Sequence, residues 1–326
     1  MQIRADTLDD LLRRVFHKLH TVGRRIAPSR GSALEITAIL LHLANPRARL
    51  SRSESRGRIF SALGELLWYL SGEDDLSFIR YYIPDYEQYS DDGRTIRGAY
   101  GPRLFNNDGV DQVAQVIALL RSRPDSRRAV IQLFKPADIL QSYKDVPCTC
   151  TMQFLLRAGR LDMLTTMRSN DAFLGLPHDV FAFTMLQEII ARSVEADVGD
   201  YYHMVGSLHL YDSDRTKARQ YLEEGWQATR SPMPPMPSGS PWPWLQNLLA
   251  AERALRTGQA IPRSYWRPYW GDLLRLLKIF QISKQGKTAR LSTLKRQMKS
   301  AVYAPYIQSR VQAADRRRRA KEIPNE

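Results

Sequence analysis

Apolar residues recur at intervals of three and four through "TLDDLLRRVFHKLHTVGRR", residues 7–25, behind a threonine and two aspartates. That spacing predicts an amphipathic helix starting at the threonine. "GRIFSALGELLWYLSG", residues 57–72, predicts a second helix ended by Gly72, and "GVDQVAQVIALLRSRPDSRR", residues 109–128, a third that stops near Pro124. "DVFAFTMLQEIIARSVEA", residues 179–196, predicts a long apolar helix. Strand character marks "AVIQLF" at 129–134, "TCTMQFLLRAGRLDMLTTMRS" at 149–169 and "YYHMVGSLHLY" at 201–211. Within the second of these, "RAGR" turns one strand into the next. Helices mixed with strands that are partly joined by hairpins predict an α+β layered fold rather than regular βαβ alternation. No internal repeat is present.

Proline interrupts this pattern in "SPMPPMPSGSPWPW", residues 231–244, which supports neither a helix nor an inner strand. It reads as a linker or an extended, surface-hugging segment. A boundary falls near 230, leaving a catalytic domain over 1–230 and a mainly helical extension over 245–326, with "GDLLRLLKIFQIS" among its helical stretches. Charge changes at the same place. Residues 231–326 hold 18 lysines and arginines against 5 acidic residues, so +13 of the net +14 lies there. Such a tail is a candidate for nucleic-acid binding with steep salt dependence, or a helical addition with a solvated basic face, the second being the commoner meaning. "RRRR" at 316–319 reads as disordered.

With 43 % hydrophobic and 25 % charged residues the composition is that of a soluble globular protein. No apolar run approaches the roughly 18 residues of a membrane span, and "MQIRADTLDD" has no signal-peptide character, so a cytoplasmic location without membrane association is expected. Cys148 and Cys150 stand too close for an ordinary disulfide and lack companions for a zinc site. Reduced thiols are the default, which leaves one available as a nucleophile.

A lone cysteine is ordinarily a small core residue. Here its company changes the reading: Glu65 in "GELLWYLSG", Tyr100 in "GAYG", the pair Arg127 and Arg128, Cys148 after a proline, "RSND" at 168–171, "LGLP" at 174–177, and His209 and Tyr211 in "GSLHLY". In that order, over roughly residues 10–215, the set resembles the thymidylate synthase family, and its "R-S-x-D-x-x-x-G-x-x-x-(N/D)" core is specific to it. The resemblance implies a thymidylate synthase-like layered fold with a large twisted mixed sheet. It also implies that Cys148 adds to C6 of a pyrimidine nucleotide, so that C5 takes a one-carbon unit from 5,10-methylenetetrahydrofolate. The nearby arginines would favour the thiolate. Arg168 and Ser169 match phosphate-binding positions, as do Arg127 and Arg128, which in the family cross a two-fold homodimer into the partner's site. Arg30 matches another phosphate arginine, with Arg24 or Arg25 as the alternative. His209 and Tyr211, two apart on a strand, share a face and would hold the sugar hydroxyl. Asp171, with Leu174 and Gly175, would hold the pterin, and Glu65 would organise water and proton traffic around the base. Tyr86 and Tyr89 fall where the family usually has two tryptophans near the folate.

The last position of "LGLP-x-x" is asparagine in thymidylate synthases and Asp179 here. An amide complements the N3–H donor and O4 acceptor of uracil. A carboxylate accepts from the N4 amino group of cytosine, and from N3 once that nitrogen is protonated, whereas it faces lone pairs on uracil O4. Asp179 therefore predicts a cytosine nucleotide, the pattern of the cytidylate hydroxymethylase branch, which Thr149, Asn170 and Ser207 also resemble; the resemblance implies that Asn170 and Asp179 both bind the nucleotide. In that branch water, rather than hydride, completes the reaction and tetrahydrofolate leaves unoxidised. Ala172, smaller than the usual valine, leaves room for a 2′-hydroxyl, and CMP and dCMP both stay open. Two other readings stand beside this one: a thymidylate synthase acting on dUMP, and a non-catalytic nucleic-acid-binding or regulatory protein on the same scaffold. The short terminal segment that closes over folate in the family is not found.

Overall fold

The computed structural model describes residues 1–28, 30–51, 59–225, 232–286 and 290–312. Strand β1 (Gln2–Ala5) leads into helix α1 (Leu8–Val22), whose Thr7 cap accepts from the Asp10 amide at 3.1 Å. Then follow β2 (Arg24–Ile26), β3 (Ala33–Leu43), α2 (Ile59–Ser71), α3 (Leu76–Tyr82), α4 (Tyr100–Phe105), α5 (Gln112–Ser122) and β4 (Val130–Gln132). The chain continues as β5 (Thr149–Arg157), β6 (Arg160–Asp171), α6 (Gly175–Ser193), β7 (Asp197–Tyr211) and α7 (Arg215–Glu223). Helices α8 (Trp242–Thr257) and α9 (Pro268–Lys284) come next. The strands form one mixed sheet in the order β1-β3-β7-β6-β5-β4, with β2 on β3. Pairs β1–β3 and β6–β7 are parallel and the rest antiparallel. This is the α+β layered arrangement that the mixture of periods predicts. The β5–β6 hairpin turns at "RAGR" as expected, with Ala158 and Gly159 at φ +46° and +72°.

Helices cover one face of the sheet. Helices α1 and α6 lie on the sheet, α2 packs on α6, and α9 packs on α2. Residues 33–43, to which the pattern assigns no element, form the 11-residue inner strand β3.

Three neighbouring strands change face at the same level. In β3 the core-facing residues run Leu34 and Ile36, then Ile39 and Leu41, the odd step falling at Ala38, whose φ is +53°. In β7 they run Tyr201, His203 and Val205, then Leu208 and Leu210, the step falling at Gly206. In β6 they run Thr165 and Met167, then Asn170, the step falling at Arg168. A strand alternates its faces residue by residue, so each extra residue reverses everything beyond it. A Cβ on Gly206 would lie 2.9 Å from the Arg168 carbonyl oxygen, so only glycine lets the two backbones close here. Beyond the step, Asn170 enters the core and Asp171 stands beside its cross-strand partner His209.

The expected boundary near 230 falls on residues outside those described, as does "RRRR" at 316–319. The proline-rich segment lies against the body. Met233 and Met236 are buried, Met233 donates its amide to the Arg47 carbonyl at 2.8 Å, and the Met236 amide donates to Glu188 at 2.8 Å. Glu188 is itself paired with Arg49 at 2.6 Å, both side chains fully buried. Leu273, Leu274, Leu276, Leu277 and Ile279 of α9 join the same hydrophobic core as the sheet, so the basic C-terminal helices share one apolar interior with the rest. Among the described residues no helix is long and apolar enough to cross a membrane, and no group of three or more His, Cys, Asp or Glu is placed to hold a metal.

Candidate active site

Cys148 stands just before β5, and Arg168 on the adjacent β6 folds back over it. Arg168 donates through Nε to the Pro147 carbonyl at 2.9 Å and through Nη2 to the Val146 carbonyl at 2.8 Å, with Nη2 3.7 Å from Cys148 Sγ. Both cysteines are free thiols. The pull of the arginines toward the thiolate is present at this sulfur, and burial outweighs it. Burial pushes the Cys148 thiol up to about 11; Arg168 and Arg30 pull it down, but Asp179 and Asp145 add to the rise.

Glu65 projects from α2 into a cage of phenols. It accepts from Tyr69 at 3.0 Å and from Tyr86 at 2.5 Å. Burial holds its carboxyl above the usual range, and the two phenol donors oppose that rise. The Tyr86 ring meets Tyr89 edge-on at 5.7 Å, and the Arg30 guanidinium stacks 4.4 Å over Tyr89. Of the three N-terminal candidates it is therefore Arg30 that joins this wall. Arg25 pairs instead with Asp212 at 3.5 Å, and Arg24 is exposed on β2.

Asp179, one turn into α6, is buried and accepts at Oδ2 from Asn170 Nδ2 at 2.7 Å. Asn170 Oδ1 meets His203 Nε2 at 3.0 Å, and His203 Nδ1 meets the Tyr201 hydroxyl at 2.7 Å. Burial pushes the Asp179 carboxyl well above the carboxylate range, and the neighbouring Glu65 charge adds to it. Burial alone lowers His203 to about 3, so this imidazole is neutral at physiological pH. Gly175 makes the Asn170–Asp179 contact possible: a Cβ there would sit 3.0 Å from Asn170 Nδ2 and 3.5 Å from Asp179 Oδ2.

Asp171 spends Oδ1 on the amides of Phe173 and Leu174, at 2.7 and 3.1 Å, and burial raises its carboxyl. His209 and Tyr211 do share a face, their rings 4.9 Å apart and near-perpendicular. Ser169 is half-buried on β6. Arg127 and Arg128 lie apart from this cluster, exposed on the loop that enters β4. Asp145 and the Tyr201–His203 pair escape a reading by motif. Asp145 is a half-buried carboxyl raised by its burial and tempered by Arg30, the Gly98 amide and Arg168. The signal for it was Gly98 in "RGAYG", where a Cβ would lie 2.2 Å from Asp145 Oδ2.

These buried carboxyls make one expectation about stability. A carboxyl whose folded-state pKa exceeds its unfolded one stabilises the fold below the unfolded value, and that contribution is lost as pH rises through the raised one. Glu65→Gln should therefore raise the melting temperature more at pH 8 than at pH 5, by on the order of 2 °C, in thermal denaturation followed by circular dichroism. An equal shift at both values would mean that Glu65 carries no such penalty.

A family model described as thymidylate synthase matches residues 54–236, and the site just built lies almost wholly within that span. The chain belongs to the thymidylate synthase family. It is 32 % identical over 206 residues to the deoxyuridylate hydroxymethyltransferase of Bacillus phage SP01, covering 59 % of this chain and 54 % of that protein. It is 33 % identical over 205 residues to the deoxyuridylate hydroxymethyltransferase of Pseudomonas phage M6, covering 58 % of each. The chain thus spans little more than half the length of the curated relatives it matches. The thymidylate synthase fold accounts for the mixed sheet and the helical cover; both relatives' names carry uridylate, so they support the family and not a cytidylate branch of it.

Proposed function

We propose that the protein hydroxymethylates C5 of a cytidine monophosphate, consuming 5,10-methylenetetrahydrofolate and water and releasing tetrahydrofolate. The observation that carries this reading is Asp179, a buried carboxyl at the base-reading position with an amide donor already on one oxygen. Cys148 Sγ would bond to ring carbon C6, and the electron pair would pass to C5. A proton shared between Asp179 and ring N3 draws electrons toward the nitrogen and makes C6 a better acceptor. Arg168, whose Nε and Nη2 are engaged on the Cys148 loop, keeps Nη1 for phosphate, with Ser169 and Arg30 beside it. His209 and Tyr211 would meet the sugar.

The cofactor fits the residues present. Asp171 keeps Oδ2 for a pterin N–H, Leu174 offers exposed apolar surface at 39 %, and Tyr86 would wall the far side. Held by Asp171, Leu174, Gly175 and Tyr86, methylenetetrahydrofolate supplies the transferred carbon. Glu65, caged by two phenols, would order water and hand protons at the base.

The names of both relatives favour a second reading, hydroxymethylation of deoxyuridylate. Incubation with methylenetetrahydrofolate and CMP, dCMP, UMP or dUMP, each tritiated at C5, separates the readings. Tritium release and a product 30 mass units heavier are expected with CMP or dCMP, without the absorbance rise of dihydrofolate. Release from the uridylates alone would overturn the cytidylate reading, and dihydrofolate formation would make the protein a methylase.

A two-fold homodimer is part of the proposal. The sheet face away from the helices carries half-buried Leu155, Leu164, Thr166 and Tyr202 and exposed Met204, an apolar surface suited to a second copy. Arg127 and Arg128 would reach the partner's phosphate site across it. Mixing inactive Arg127→Ala/Arg128→Ala protein with inactive Cys148→Ala protein, after mild denaturation and refolding, should restore turnover, because hybrid dimers regain one complete site. No recovery in a sample proven to hold hybrids would remove the crossed arginines.

A further inference from the structure

Burial creates a difficulty for base selection by Asp179. A carboxylic acid free to carry its proton on either oxygen is ambiguous: with the proton opposite N3 it complements cytosine, and with the proton opposite the 4-position it complements uracil. The environment that raises Asp179 thus threatens the discrimination the aspartate brings. Something must decide which oxygen accepts.

We infer that Tyr201, His203 and Asn170 form a buried positioning chain that fixes Asp179 Oδ2 as a permanent acceptor facing the 4-position, and so sets the preference for cytosine over uracil. This rests on the cytidylate reading above and deepens it. His203 is fully buried and neutral, so one ring nitrogen donates and the other accepts. With the Tyr201 hydroxyl donating to Nδ1, at 2.7 Å, the imidazole proton sits on Nε2 and is given to Asn170 Oδ1, at 3.0 Å. The Asn170 amide is then oriented with Nδ2 toward Asp179, at 2.7 Å, and an N–H held there excludes a carboxyl proton from that side of Oδ2. Any proton that Asp179 carries resides on Oδ1. Oδ2 can receive the cytosine amino group, while uracil O4 would meet lone pairs.

The placement of the chain supports such a role. Each member lies on a strand or at a helix start held by the sheet: Tyr201 and His203 alternate on β7, Asn170 enters the core only because β6 changes face at Arg168, and Gly175 leaves the gap through which the amide touches the carboxyl. Rigid elements hold hydrogen-bond geometry better than loops do. Tyr201, His203 and Asn170 act through Asp179 and are positioning residues.

The readout is the ratio of kcat/KM for cytidylate over the matching uridylate, which a general loss of packing would not move. Tyr201→Phe removes the donor that sets the imidazole tautomer, and Asn170→Ala removes the amide. Both should lower that ratio, Asn170→Ala by at least tenfold and Tyr201→Phe by less. His203→Leu should lower it too, whereas His203→Gln, whose side-chain amide can still donate to Asn170 Oδ1, should retain most of it. Melting temperatures identify variants that fold as the parent does. Folded Tyr201→Phe and Asn170→Ala proteins with the parental ratio would overturn the positioning chain while leaving the cytidylate function intact. A parent protein that prefers uridylate would overturn both.

Discussion

Cys148→Ala should lose turnover by about 10⁴-fold or more while keeping the parental melting profile, as measured by tritium release from C5 of the nucleotide. The size follows from the chemistry: without a sulfur bond at C6, C5 of cytosine is not nucleophilic enough to take a carbon, and no neighbouring group replaces the thiol. Thr149 is committed to Tyr100, its amide and hydroxyl reaching that phenol oxygen at 3.1 and 2.9 Å. Cys150, two residues on, lies past the start of β5 with its carbonyl taken by the Leu133 and Phe134 amides. The free protein should also resist alkylation at Cys148 near neutral pH, with iodoacetamide reacting quickly only as pH approaches 11. Rapid alkylation at pH 7 would show that the thiol is ionised before substrate arrives.

The parts of this architecture visible in the sequence are those whose signal is local. The β5–β6 hairpin announces itself by alternation on both sides of "RAGR", and α1 by a capped amphipathic run. Strand β3 does not. "ALEITAILLHL" lies inside the sheet, and its face change at Ala38 breaks the alternation that a reader would count. The same holds for the site. Cys148, Arg168, Asp171 and Asp179 are legible as an ordered motif, and the structure gathers Glu65 and Arg30 toward them. The role of Asn170 was legible only as a neighbour of the nucleotide, because its partner His203 arrives from another strand. Asp145 was hidden for a like reason: its burial comes from the loop at Gly98, far away in the chain. Only half of the balance at the thiol was legible, since the arginines that favour the thiolate are visible in the sequence and the burial that outweighs them is not.

Asp179→Asn should lower kcat for cytidylate by about 10³-fold, with KM changed only several-fold. The two parameters separate because the substituted amide still matches the ring edge. Asn170 continues to donate from the same side, so it selects the oxygen of the new amide and turns the new N–H₂ toward ring N3. Cytosine, with its amino group opposite an oxygen and its bare N3 opposite an N–H, remains accommodated. What disappears is the proton that N3 must gain if C6 is to accept sulfur, since an amide does not give one up. Uridylate should profit little from this single change, because its own N3–H then faces the N–H₂ of the introduced side chain. Removing the constraint as well should release it: Asp179→Asn combined with Asn170→Ala lets the amide rotate, present oxygen to N3–H and N–H₂ to O4, and turn over uridylate at least tenfold faster than the single variant does. Steady-state kinetics on both nucleotides for the parent, the two single variants and the double variant give the coupling directly. Strictly additive effects would mean that Asn170 holds no control over the base-reading group, and a single Asp179→Asn protein already as active on uridylate as the double variant would mean the amide turns freely beside it.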